Sequence, residues 1–111
     1  MKALLAAMCV MFAASSEVSN ALTSQLLVGR WRSDLGSTYY FHANGTWDRD
    51  YADFSDGGRW RLRGQRQIEL TYIIDNKVSR REIVAVDRVV HETLYVRTGE
   101  AREVWLKQPS S

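Results

Sequence analysis

Four aspartates, Asp48, Asp50, Asp53 and Asp56, fall within nine residues and form the densest group of potential ligating or proton-accepting side chains. Carboxylates at such spacing hold calcium when they follow a D-x-D-x-D-G loop with a later glutamate. This string departs from that loop, so it reads as a solvated segment partly paired with Arg49 and Arg59. The two histidines, His42 and His91, stand beside neither a nucleophile elbow nor a second imidazole at ligand spacing. No catalytic residue, metal site or cofactor is therefore expected. Arg59, Arg61 and Arg63 alternate along one segment, with Arg66 close behind. Alternate strand positions stand about 7 Å apart. Such a row suits an acidic protein surface or an anionic polymer. It equally suits the polar outer face of a half-buried strand, paired with Glu69 or Glu82.

The elements that must carry these side chains are strands. Turn signals recur at Asp34-Leu35-Gly36, Asn44-Gly45, Ser55-Asp56-Gly57-Gly58, Gly64-Gln65, Asp75-Asn76-Lys77 and Thr98-Gly99-Glu100. Between them lie short runs rich in Val, Ile, Thr, Tyr and Trp, the composition of an all-β chain. Trp60 and Leu62 share one face while Arg59, Arg61 and Arg63 share the other, the period of a strand. Asn44-Gly45 is a strong hairpin signal because both residues tolerate positive φ; the formal glycosylation sequon Asn44-Gly45-Thr46 is read as that turn. Eight strands are expected, at about 27–33, 37–43, 45–51, 58–63, 67–74, 79–87, 91–98 and 101–107. Residues 22–26 form a helical turn or a loose lead-in. Short connections make a sequential antiparallel meander the simplest topology, and an eight-stranded up-and-down meander can close into a small barrel. The run Arg80 to Val90 is apolar on both faces, as in a strand that is doubly covered or part of an interface.

The N-terminus reads as an address. Lys2 precedes an apolar run from Ala3 to Ala14, and Ser19-Asn20-Ala21 places small side chains at a cleavage site. This is the pattern of a secretory signal peptide, too short to span a bilayer. Residues 1–21 are thus expected to be removed, leaving a domain at 22–111 that is periplasmic or secreted, with no stable membrane insertion after cleavage. Cys9 is the only cysteine, and Met8 before it does not suit lipidation. A thiol-free exported domain fits a bacterial periplasm, has no disulfides, and must draw its stability from aromatic packing. All four tryptophans lie beyond residue 21. The net charge of +2 is too mild for a nucleic-acid binder.

Several segments resemble known barrels. Leu27-Val28-Gly29-Arg30-Trp31 resembles the G-x-W opening of lipocalins and other calycin-type barrels. Tyr40-Phe41-His42-Ala43-Asn44-Gly45-Thr46-Trp47 resembles the aromatic hairpin of small bacterial lipocalin-like domains. Gly58-Arg59-Trp60-Arg61-Leu62 with Ile68-Glu69-Leu70 is similar to the pair that follows it. The resemblance implies a barrel with Trp31 across its floor. This chain is far shorter than classical lipocalins, so their ligand cavity does not follow. A second, local similarity joins Gly29 to Ser37 with the first strand of avidin-type biotin binders, where Ser33, Leu35 and Ser37 would meet ligand.

Trp31, Tyr39, Phe41, Trp47, Tyr51, Trp60 and Tyr72 are expected to point inward, enough bulk to fill an eight-stranded barrel. If space remains, Tyr39, Trp47, Arg49 and Tyr51 line it. Tyr40, Tyr95 and Trp105 are expected on outer faces, where aromatic residues mark interfaces. With Arg59, Arg61 and Arg63 they form the candidate interaction surface. The chain therefore reads as a non-enzymatic binding protein, foremost a protein-interaction module such as a periplasmic inhibitor or immunity-type protein. The alternative is a binder of a small apolar molecule or lipid within the barrel.

Overall fold

The computed structural model describes residues 22–109; the expected signal segment and Cys9 lie outside the described residues. A short helix, α1 (Ser24–Leu27), precedes eight strands. These are β1 (Gly29–Ser33), β2 (Thr38–Phe41), β3 (Thr46–Tyr51), β4 (Phe54–Arg63), β5 (Gln67–Ile74), β6 (Lys77–Val90), β7 (Thr93–Thr98) and β8 (Ala101–Lys107). Each strand pairs antiparallel with the next, and β8 returns to β1, so the sheet is a closed up-and-down barrel. The closing register sets Trp31 opposite Lys107 and Ser33 opposite Trp105. Closure pairs every strand on both sides over part of its length, while residues 77–84 of β6 extend beyond β7 and pair with β5 alone. The all-β architecture has a topology compatible with a calycin-like fold.

Period-2 alternation sends one side chain in two into the barrel. Trp31, Phe41, Trp47, Ile68, Leu70, Leu94 and Trp105 meet there, all essentially inaccessible. The rings pack in sequence: Tyr39 stacks on Trp105 with centroids 4.4 Å apart, and Trp47 meets Tyr72 edge-on at 5.0 Å. Phe41 meets Trp60 edge-on at 5.9 Å, near the rim, where Trp60 is only partly buried.

The two barrel ends differ. At one end α1 acts as a stopper. The Thr23 hydroxyl caps it by accepting from the Leu26 amide at 3.1 Å. Leu27 is fully buried, and its carbonyl accepts from the Trp31 indole at 2.7 Å. The Lys107 ammonium donates to the Leu26 carbonyl at 2.6 Å and completes the seal. At the other end the turns after β1, β3, β5 and β7 surround an open mouth. Asp75 and Asn76 both take positive φ in the tight turn between β5 and β6.

Three sequence expectations are corrected here. The Ser55-Asp56-Gly57-Gly58 cluster is not a turn but lies within β4, which starts at Phe54. Its glycines serve a close approach of backbones: a Cβ on Gly58 would lie 1.8 Å from the Thr71 carbonyl oxygen, and one on Gly57 2.4 Å from that of Trp47. Trp105, expected outside, is in the core at 1 % exposure. The inward face of β8 carries Glu103, Trp105 and Lys107, because the charged pair sits at the two barrel ends while the indole fills the middle. Tyr51, expected inside, is largely exposed at the mouth, where β3 ends.

The two-faced segment resolves into one long strand. Val84 and Val86 point inward, the register then shifts between Val86 and Arg88, and Val89 takes the next inward place opposite Leu94. The irregularity at Asp87 thus reverses the phase.

Candidate functional site

The open mouth gathers polar groups that a filled hydrocarbon core would exclude. Arg49 on β3 and Asp56 on β4 are register partners and face inward. The guanidinium grips the carboxylate with two hydrogen bonds, from Nε to Oδ1 at 2.9 Å and from Nη2 to Oδ2 at 2.5 Å. The same guanidinium lies 5.8 Å from the ring centroids of Tyr39 and Phe54 and 5.9 Å from that of Tyr72. Burial works against the Arg49 charge, but the Asp56 carboxylate and Tyr39 hydroxyl outweigh it and hold the pKa above the ordinary arginine value. The resulting cation is fixed in place.

Two further carboxylates line this layer. Glu103 accepts from the Ser33 hydroxyl at 2.6 Å and from the Trp105 indole at 2.9 Å. Glu82 accepts from the Tyr72 hydroxyl at 2.7 Å, and Arg80 lies over the Tyr72 ring at 4.1 Å. Burial raises the Tyr72 pKa, and the Glu82 bond and charge raise it further. Burial likewise raises that of Tyr39, with the Glu103 charge adding to it.

Above this layer lies a recess of about 280 Å³, bordered by Leu35, Ser37, Tyr39, Arg49, Tyr51, Phe54 and Glu103. Of the residues expected to line an interior space, Tyr39, Arg49 and Tyr51 meet there. Trp47 does not; it is sealed in the core, with its indole donating to the Thr71 carbonyl at 3.3 Å. Leu35, Tyr51 and Phe54 on its border are between 45 % and 56 % exposed, and Ile74 and Val78, at the β5–β6 turn of the same barrel end, are 58 % and 54 % exposed. Five of the seven exposed large apolar side chains of the described residues thus crown one barrel end. Sequence reading missed this crown, since its members come from three separate turns; an apolar residue beside each of those turns was the available signal.

The residues expected on the outer face are dispersed. Tyr40 is half-buried and borders an acidic depression with His42, Asp48 and Asp50, in which His42 Nε2 lies 2.8 Å from the Asp48 carboxylate. Tyr95 lies on the far side under Arg88, whose guanidinium is 4.6 Å from the ring centroid. Arg59, Arg61 and Arg63 do face outward on β4, and Arg61 pairs with Glu69 at 3.0 Å. Among the described residues no group of three or more His, Cys, Asp or Glu side chains could hold a metal ion. No described helix is long and apolar enough to cross a membrane.

Comparison with family models, curated proteins and solved structures finds no match for this chain. The class defined by fold and site is a small closed β-barrel compatible with a binding role.

Proposed function

We propose that this chain is an exported, lipocalin-like binding module that holds another protein with the open mouth of its barrel. The observation that carries the proposal is the set of exposed apolar side chains at this barrel end. Leu35, Tyr51 and Phe54 border the recess with Arg49, which pairs with Asp56, and Ile74 and Val78 stand at the β5–β6 turn of the same end. Clustered exposed apolar groups mark interaction sites, and interface centres favour aromatic residues and arginine. The recess of about 280 Å³ is shallow and open. Behind it Trp47, Trp105 and Phe41 occupy the barrel. The recess therefore suits one side chain of a partner better than a free lipid. A periplasmic inhibitor or immunity-type protein would act in this way, by occupying a partner's surface without chemistry of its own. Export rests on the sequence pattern of residues 1–21.

A photoreactive amino acid placed at Phe54, and separately at Arg63 on the outer face of the plugged end, tests the mouth in the native cell. One defined adduct is expected from position 54 alone, lost when Leu35→Ser and Ile74→Ser are added. Equal adducts from both positions would overturn the mouth as the binding surface. Intact mass of the same exported protein checks the address: a chain starting at Leu22 is expected, and retention of residues 1–21 sinks it.

A further inference from the structure

A second surface, away from the mouth, carries its own chemistry. On the outer face of β4, β5 and β6, Arg59, Thr71 and Arg81 form one cross-strand row. Glu69 lies in the next row, opposite Arg61, and is only 8 % exposed. This one carboxylate holds two guanidinium groups. Arg61 Nε donates to Oε1 at 3.0 Å, and Arg81 Nε stands 3.5 Å from Oε2. Both arginine side chains remain about two-thirds or more exposed, at 72 % and 66 %. Each pairs with Glu69 through Nε, and neither has a hydrogen bond from Nη to another of the described residues.

From this arrangement we infer a binding site for a phosphate group. The groove holds Arg59, Arg61 and Arg81 against Glu69, so three positive charges and one negative leave +2. A phosphate monoester carries about −1.5 to −2 near neutral pH and offers three acceptor oxygens, which matches both the charge and the donors. A carboxylate needs only one guanidinium fork. Glu69 acts as a positioning residue: by fixing both arginines it reduces the ordering that an incoming anion would otherwise impose. The Thr46 and Thr71 positions and the partly exposed Trp60 ring border the same groove of about 670 Å³. That space exceeds a lone phosphate and suits one carried on a larger molecule.

The test uses inorganic phosphate and glycerol 3-phosphate as soluble probes, followed by amide shifts in NMR. Vesicles of phosphatidylcholine with and without phosphatidic acid form the second arm. Saturable shifts centred on Arg61, Thr71 and Arg81 are expected, with an affinity loss of at least about tenfold in Arg61→Gln/Arg81→Gln. The melting temperature of that variant is also expected to fall, because the buried Glu69 loses both partners. Arg59→Gln, at an unchanged melting temperature, is therefore the deciding variant, with a several-fold loss of affinity expected, since among the described residues its side chain makes no ion pair. Binding of the soluble probes identifies a free phosphate ester as the source. Sedimentation only with phosphatidic acid vesicles identifies a lipid headgroup. Failure of both arms, or binding that these variants leave intact, overturns the site.

Discussion

Tyr39 on β2 and Trp105 on β8 stack with ring centroids 4.4 Å apart, although β1 lies between their strands. The contact therefore crosses the seam where the barrel closes and ties its last strand to its second. Trp105→Ala removes the stack, the indole bond to Glu103 and a large buried volume. A loss of about 3–5 kcal/mol is expected in urea melts. Leu106→Ala, next in sequence but outward and 51 % exposed, should cost less than about 0.5 kcal/mol. Equal losses would reverse the facing of β8.

The mouth tyrosines make stability fall in alkali. Tyr39 and Tyr72 both hold their protons more tightly in the folded state than the ordinary value of 10.0 implies. Below that value both states are protonated and the contribution is whole. Above it the unfolded chain ionises first, so stability is lost as pH rises toward the raised folded values. Urea melts from about pH 8 to about pH 11 should show a decline that Tyr39→Phe/Tyr72→Phe flattens. An identical slope in the variant would remove these two groups as its cause.

Arg49 and Asp56 are mostly shielded, with 19 % and 25 % of their side chains exposed. Truncating either one leaves its partner half-buried and unpaired, at a cost of about 1–3 kcal/mol. A double-mutant cycle of Arg49→Ala and Asp56→Ala should give a coupling of about 1–2 kcal/mol. Additive losses would mean the pair is not a working contact.

Gly58 and Gly64 separate two uses of glycine. Gly64→Ala meets no atom within 4 Å, although its positive φ of 67° adds strain of about 1 kcal/mol. Gly58→Ala forces a methyl into the Thr71 carbonyl and must push β4 away from β5. A drop in melting temperature several times larger at Gly58 is expected by calorimetry.

Gly57 and Gly58 also show where sequence reading stopped. Two adjacent glycines after an aspartate carry the composition of a turn, and only the packed neighbour reveals a crowded strand. Trp105 hides its facing for a related reason: its neighbours on the same face, Glu103 and Lys107, are charged, and only the closed barrel shows them at its two ends with the indole between. The eight strands, the meander and the hairpin at Asn44-Gly45 were legible because alternation and turn chemistry are local. Gly45 takes φ of 91° there, but Asn44 does not take positive φ. The Gly45 amide donates to the His42 carbonyl and Asn44 Oδ1 accepts from the Thr46 amide at 3.0 Å, so the connection is a longer turn than a two-residue hairpin loop. Tyr39, Arg49 and Tyr51 could be grouped from neighbouring strands. Leu35, Ile74 and Val78 could not, since only the closed register brings their turns together.

The stopper has a consequence for handling the molecule. β1 begins beside the end of β8, the Leu22 amide bonds the Gln65 carbonyl and that of Gln108 bonds the Arg30 carbonyl. Both ends of the described chain thus leave from the plugged pole, like two cords tied to the base of a cup. A resin, a fused domain or a surface joined to either cord holds the cup with its lip outward, unobstructed toward whatever approaches.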